Sequence, residues 1–171
     1  MRSWLVLAVL VLASLQAAGA AAQPPPSPPA APDQLITTDG KRIGFDPSAV
    51  IAIADRDPYT GAAVTCVYGL SPPWAFIKVS EPVAALLARL GIAGWFVKLT
   101  RPDRSPVWIN AAAVFLLRKP LPGEYPADAK SVLFASGLIQ AVTQDPAIVE
   151  AALEAAGGPR GSSGLDPSHR R

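Results

Sequence analysis

The residues best placed to do chemistry sit in one short stretch. Asp55 and Asp57 flank Arg56 just before Pro58-Tyr59-Thr60-Gly61, and two carboxylates at that spacing could serve as a general acid and base or begin a cation site. No third or fourth oxygen ligand follows at a calcium-loop spacing, and aspartates in turn-rich loops usually shape the turn and face water. Asp39 and Asp103 stand at hairpin turns and read the same way. Cys66 is the only cysteine, so no internal disulfide forms, and the only histidine, His169, lies near the C-terminus. A zinc site, a Cys/His pair or a Ser/His/Asp triad cannot be assembled in the central region from that inventory. There is no G-x-S-x-G and no phosphate loop. The expectation is therefore no catalytic residue, no metal site and no cofactor.

Three aromatic side chains remain as binding candidates: Trp74, Tyr59 and Trp108. Trp74 follows Pro72-Pro73 in a loop, where binding residues are commonly carried, although a large aromatic there also suits folding back over the core edge. Tyr59 belongs to the Asp55–Gly61 loop. Trp108 alternates with Val107 and Ile109, so it should project from the opposite face of its strand and fill a seam. Cys66 lies in the run Val64–Tyr68 on the side expected to face a core, which makes it a packed small hydrophobe rather than a reactive thiol.

The elements that position these residues follow a leader. Arg2, the apolar run Trp4–Ala13 and the small-residue segment Ala17–Ala22 match a secretory signal at 1–22, with A-x-A cleavage options ending at Ala20 or Ala22. The alternative is an uncleaved anchor; the Ala/Gly-rich second half and the absence of a basic stop-transfer cluster argue for cleavage and against stable membrane insertion. Residues 23–32 read QPPPSPPAAP, a polyproline spacer. Residues 157–171 are Gly/Ser/Pro/Arg-rich with Leu165 as the one sizeable apolar residue, a composition expected to stay disordered. Between them, 33–156 carries 11 Lys/Arg against 12 Asp/Glu, so no basic face for nucleic acid is expected.

That central region repeats itself. At an offset of 64, Leu35, Asp39, Ala49 and Val50 meet Leu99, Asp103, Ala113 and Val114; at 68, Val64, Gly69 and Leu70 meet Val132, Gly137 and Leu138. Each half, 33–91 and 95–156, offers a hairpin, further short strands and a closing helix. In the first half, strands are expected over Leu35–Thr38, Lys41–Phe45, Ala49–Ile53, Val64–Tyr68 and Ala75–Val79. Ser80-Glu81-Pro82 should then open a helix that Gly91 ends, with Val83, Leu86, Leu87 and Leu90 as its buried stripe. The second half gives strands over Trp95–Thr100, Val107–Ile109, Ala113–Leu117, Ser131–Ala135 and Leu138–Val142, then a helix near Pro146–Ala156 burying Ile148, Val149 and Leu153. The fold class expected is α+β: tandem duplicated small antiparallel β units, each followed by a helix and packed on one another.

The residues Leu99-Thr100-Arg101, Pro106-Val107-Trp108-Ile109-Asn110, Val114, Ser131-Val132-Leu133 and Gly137 before a helix resemble the FlbD/swarming-motility family of small bacterial proteins. The resemblance covers Phe96–Leu153 and, more weakly, the first half; Arg104 stands where that family usually has its turn glycine. It implies a bacterial source and a small β-rich unit, and the leader and doubling keep any flagellar role from being carried over. The function expected is a secreted or periplasmic, non-enzymatic interaction or accessory module with a protein partner in the cell envelope. The alternative is an extracytoplasmic hydrolase or other enzyme using carboxylates alone.

Overall fold

A computed structural model describes residues 33–69 and 76–157. The leader, the proline spacer, Trp74 and the C-terminal segment beyond Gly157 lie outside those residues. The chain is mixed α+β, with ten strands in antiparallel sheets and two helices among the described residues.

The first segment runs β1 (Gln34–Ile36), β2 (Arg42–Gly44), a 3-10 turn Pro47–Ala49, β3 (Ala52–Arg56), β4 (Ala63–Tyr68), β5 (Phe76–Val79) and α1 (Val83–Leu90). A 3-10 turn at Ala93–Trp95 leads to β6 (Phe96–Thr100), β7 (Pro106–Asn110), a 3-10 turn Ala111–Ala113, β8 (Val114–Arg118), β9 (Ser131–Ala135), β10 (Leu138–Val142) and α2 (Pro146–Ala155).

Several boundaries differ from expectation for local reasons. The apolar run from Ala49 does not begin as strand. Asp46 accepts a hydrogen bond from the Ser48 N–H at 2.9 Å, Pro47 opens the 3-10 turn, and pairing starts only at Ala52. Ser80 does not cap α1. Pro82 takes the N-cap position without a side-chain cap, while the Ser80 hydroxyl donates to the Ile36 carbonyl and Glu81 pairs with Arg89 at 2.8 Å. Gly91 ends the helix in the left-handed region, and Val83, Leu86 and Leu87 are buried. Trp95 belongs to a 3-10 turn rather than to β6. In α2, Val149 and Leu153 are buried but Ile148 is 58% exposed, because the buried face follows the i, i+4 phase set by Val149 and excludes its neighbour.

The halves are joined through a shared sheet. Its strand order is β5-β4-β3-β7-β6, with Ala52 opposite Ile109, Ile53 opposite Trp108 and Ala54 opposite Val107. Strand alternation then feeds two cores from one sheet. Ile53, Val67 and Val79 face a cluster with Leu35, Val50, Leu86, Leu87, Ile92 and Phe96. Ala52, Ala54, Cys66, Tyr68, Val107 and Ile109 face a second cluster with Val97, Leu99, Leu133, Val142, Val149 and Leu153. A three-stranded sheet, β10-β9-β8, and α2 close that second core.

Positions 64 apart share backbone detail. Thr37 N–H bonds the Lys41 carbonyl and Arg101 N–H the Ser105 carbonyl, both at 2.9 Å; Gly40 and Arg104 have φ of 81° and 68°. Asp46 and Asn110 each accept from the N–H two residues on and each introduce a 3-10 turn.

Candidate functional site

The loop between β3 and β4 is built around a carboxylate that sequence reasoning expected in water. Asp57 is only 1% exposed. One of its oxygens accepts from the N–H groups of Tyr59 at 2.8 Å and Thr60 at 3.2 Å, and the other meets the Lys78 ammonium at 2.6 Å. The turn is closed by Asp57 N–H to the Ala62 carbonyl and Gly61 N–H to the Asp57 carbonyl, both 2.9 Å, with Gly61 at φ 70°. Lys78 foremost, and the Tyr59 N–H after it, hold the Asp57 carboxyl well below the usual carboxylate range. A carboxylate kept ionised with both oxygens engaged is a structural anchor and supplies no proton to a substrate. Asp55 does not join it in a pair: Asp55 Oδ1 is buried without a hydrogen-bond partner. Among the described residues, no group of three or more His, Cys, Asp or Glu is placed to hold a metal ion.

What the anchored turn presents is Tyr59, 80% exposed. Its ring stacks on Phe76 with centroids 5.8 Å apart and planes 24° apart. Phe76 in turn lies 5.3 Å from the ring of Tyr68, which is buried in the second core. Lys78 Nζ lies 6.0 Å from the Phe76 centroid. Phe76 thus contacts both the exposed Tyr59 ring and the buried Tyr68 ring, so the outermost one has a backing. Phe76 was legible in the sequence only as a strand residue; the signal that could have found it is the strand period, which puts Phe76 and Lys78 on one face.

The other candidates lie elsewhere. Trp74 precedes Phe76 by two residues and lies outside the described residues. Trp108 is half-buried on the opposite face of the shared sheet, against the first core, with Lys98 Nζ 5.3 Å from its ring. It is the β3–β7 pairing partner of Ile53, packed against the same cluster, and is not brought together with Tyr59. Cys66 is fully buried, and burial foremost, with the Asp57 charge behind it, pushes its thiol up to about 11. Between the 3-10 turns a groove of about 500 Å³ is lined by Ser48, Gly69, Asn110 and Ala112, with Ser136 at its side. On the outer face of the three-stranded sheet Phe115 is 70% exposed, its ring 6.5 Å from that of Phe134. Among the described residues no helix is long and apolar enough to cross a membrane.

Family models, curated proteins and solved structures were each compared with this chain, and none matches it.

Proposed function

We propose that this chain is an exported, non-enzymatic module that binds a protein partner in the bacterial cell envelope through the edge formed by Tyr59 and Phe76. The observation that carries the reading is the price set on Tyr59: a carboxylate is buried to fix a turn whose product is a solvent-facing ring. Burying a charge is unfavourable unless it is fully partnered, and here every partner serves the turn. A rigidly backed tyrosine offers a large contact area with little ordering entropy left to lose on binding, the property that makes tyrosine frequent in binding surfaces. Trp74, near Phe76 in sequence, belongs to the same proposal on sequence grounds alone.

Export rests on the 1–22 leader, with residues 23–32 as the spacer that holds the folded part away from a surface. The tandem origin of 33–91 and 95–156 is supported by the shared turn geometry at Gly40/Arg104 and Asp46/Asn110. The likeness to the FlbD/swarming-motility family rests on Leu99–Arg101, Pro106–Asn110, Val114, Ser131–Leu133 and Gly137 and is proposed for architecture only.

A photo-crosslinking residue placed at position 59 of the full chain, expressed with its leader in a bacterial host, tests the reading. It should give a discrete crosslinked species in the envelope fraction, whereas the same residue at position 115, also exposed, should not. Equal crosslinking from both positions, or none from 59, would remove the Tyr59 edge as the binding surface.

A further inference from the structure

The second hairpin turn contains a strained residue that its counterpart avoids. Arg104 has φ 68°, and it is the one non-glycine with positive φ among the described residues; the position 64 earlier is Gly40, at φ 81°. An L-residue with a long side chain is disfavoured in that region, and strain of this kind is retained where the side chain has work to do. Arg104 makes no ion pair among the described residues.

Arg104 lines a pocket of about 300 Å³ together with Thr100, Asp128, Lys130 and Thr143. Thr100 Oγ1 accepts a hydrogen bond from Gln144 Nε2 at 3.1 Å, which leaves its own O–H to donate. Among the described residues Lys130 pairs with Asp145 at 3.3 Å, with both side chains more than half exposed, a pairing weak enough to give up in exchange for a better anion. The corresponding positions of the first half are Ile36 for Thr100, Gly40 for Arg104 and Ala62 for Lys130. No cation stands at those three places in the first half, and no hydroxyl donor. The second half thus carries two cations and a hydroxyl around one hollow where the first half has none at the matching positions, and its turn holds a non-glycine at positive φ.

We infer that this pocket binds a phosphate ester on a hydroxylated carrier, of the sugar-phosphate class. The guanidinium fork and the ammonium match a tetrahedral oxyanion, and the Thr100 and Thr143 hydroxyls can donate to its remaining oxygens. The Asp128 carboxylate would repel a bare anion. Set against a carrier it accepts from a hydroxyl, and the pocket volume exceeds what a lone oxyanion fills. The inference does not rest on the function proposed for the Tyr59 edge.

The test is a titration of the isotopically labelled full-length protein with glucose 6-phosphate, inorganic phosphate and glucose in turn, read by amide shifts of Arg104, Lys130 and Thr143. Vesicles with and without a phosphorylated glycolipid separate a soluble ester from a membrane headgroup; saturable binding to either carrier supports the inference. Glucose 6-phosphate should saturate with a Kd below about 10 mM, inorganic phosphate more weakly and glucose not at all. Arg104→Gly supplies the residue the first half uses in this backbone conformation, so its melting midpoint should equal or exceed that of the wild type while affinity falls at least about tenfold. Lys130→Ala should weaken binding as well. Absence of saturable binding both to glucose 6-phosphate and to the phosphorylated-glycolipid vesicles, or undiminished binding in a folded Arg104→Gly, would overturn the inference.

Discussion

Changing Asn110 to Asp should be among the most damaging one-atom substitutions available in this chain, and the damage should depend on pH. Asn110 is 6% exposed. Its Nδ2 donates to the Val50 carbonyl at 3.0 Å, its Oδ1 accepts from the Ala112 N–H at 3.1 Å, and its own N–H reaches the Ile51 carbonyl at 2.8 Å. It thus joins the two halves with one side of its amide and caps a 3-10 turn with the other. In Asn110→Asp the cap survives, but the bond to Val50 is lost and a carboxylate oxygen faces a carbonyl oxygen in a buried setting. A lost hydrogen bond costs about 1 kcal/mol and a buried charge without its partner about 3–5 kcal/mol, so the loss at pH 7 should be about 3–5 kcal/mol. Burial raises the folded-state pKa of the new carboxyl above its unfolded value near ~3.9. Its protonated form can donate to Val50 again, so the deficit should be small near pH 4 and grow as pH rises through the folded pKa. Asn110→Ala should show a deficit that does not shrink with acidity. Asp46→Asn, at the corresponding exposed cap, should change stability by no more than about 0.5 kcal/mol. Chemical denaturation from pH 4 to 8 measures all three, and an Asn110→Asp variant within about 1 kcal/mol of wild type at pH 7, or with a deficit insensitive to pH, would refute the reasoning.

Gly69 has φ 106°, and a Cβ there would lie 2.3 Å from the Ala49 carbonyl oxygen, so Gly69→Ala should cost at least about 3 kcal/mol in thermal or denaturant melts; a loss under half of that would mean the 3-10 turn can move aside. Cys66, with its thiol at about 11, should react with an alkylating reagent at pH 8 at least about 100-fold more slowly in native than in unfolded protein, read by mass spectrometry; native labelling within tenfold of the unfolded rate would contradict its burial. Asp57, whose carboxyl lies below the ordinary range when folded, contributes stability above its unfolded pKa of ~3.9 that is lost as pH falls through the folded value. Asp57→Asn should therefore flatten the acid side of the stability curve below about pH 4, and an unchanged acid limb would show that the Lys78 contact contributes nothing.

Much of the local structure was legible because single residues specify it. Gly91 ends α1 and Gly137 sits in the β9–β10 turn because both take positive φ. The pairing of β3 with β7 was not legible. β2 and β7 carry similar short apolar patterns, and nothing local says that β3 takes the later of the two; Asn110, with its donor aimed at Val50, decides it where Asp46 has none to offer. The start of β3 is not legible because Val50-Ile51 continues an apolar run whose first residues are committed to a 3-10 turn by the Asp46 cap. At the candidate site, Tyr59 and Lys78 are 19 positions apart in sequence, and only the folded sheet shows that Asp57 reaches both. An aspartate before Pro-Tyr-Thr-Gly looks like any turn aspartate until its cation is known. Ile148 fails for the opposite reason: three adjacent apolar residues at a helix start leave the helical phase undetermined by one position.

The claim that Tyr59 is the partner-binding element is tested most directly by the affinity of the crosslinked envelope protein, once purified, for wild-type chain and for Tyr59→Ala. Tyr59 is 80% exposed and its turn is fixed by Asp57 and Gly61 rather than by its own ring, so the variant should melt within a few degrees of wild type. Binding should weaken at least about 30-fold, the loss of about 2 kcal/mol that marks a central aromatic contact. An affinity within about twofold of wild type in a folded Tyr59→Ala would contradict the account.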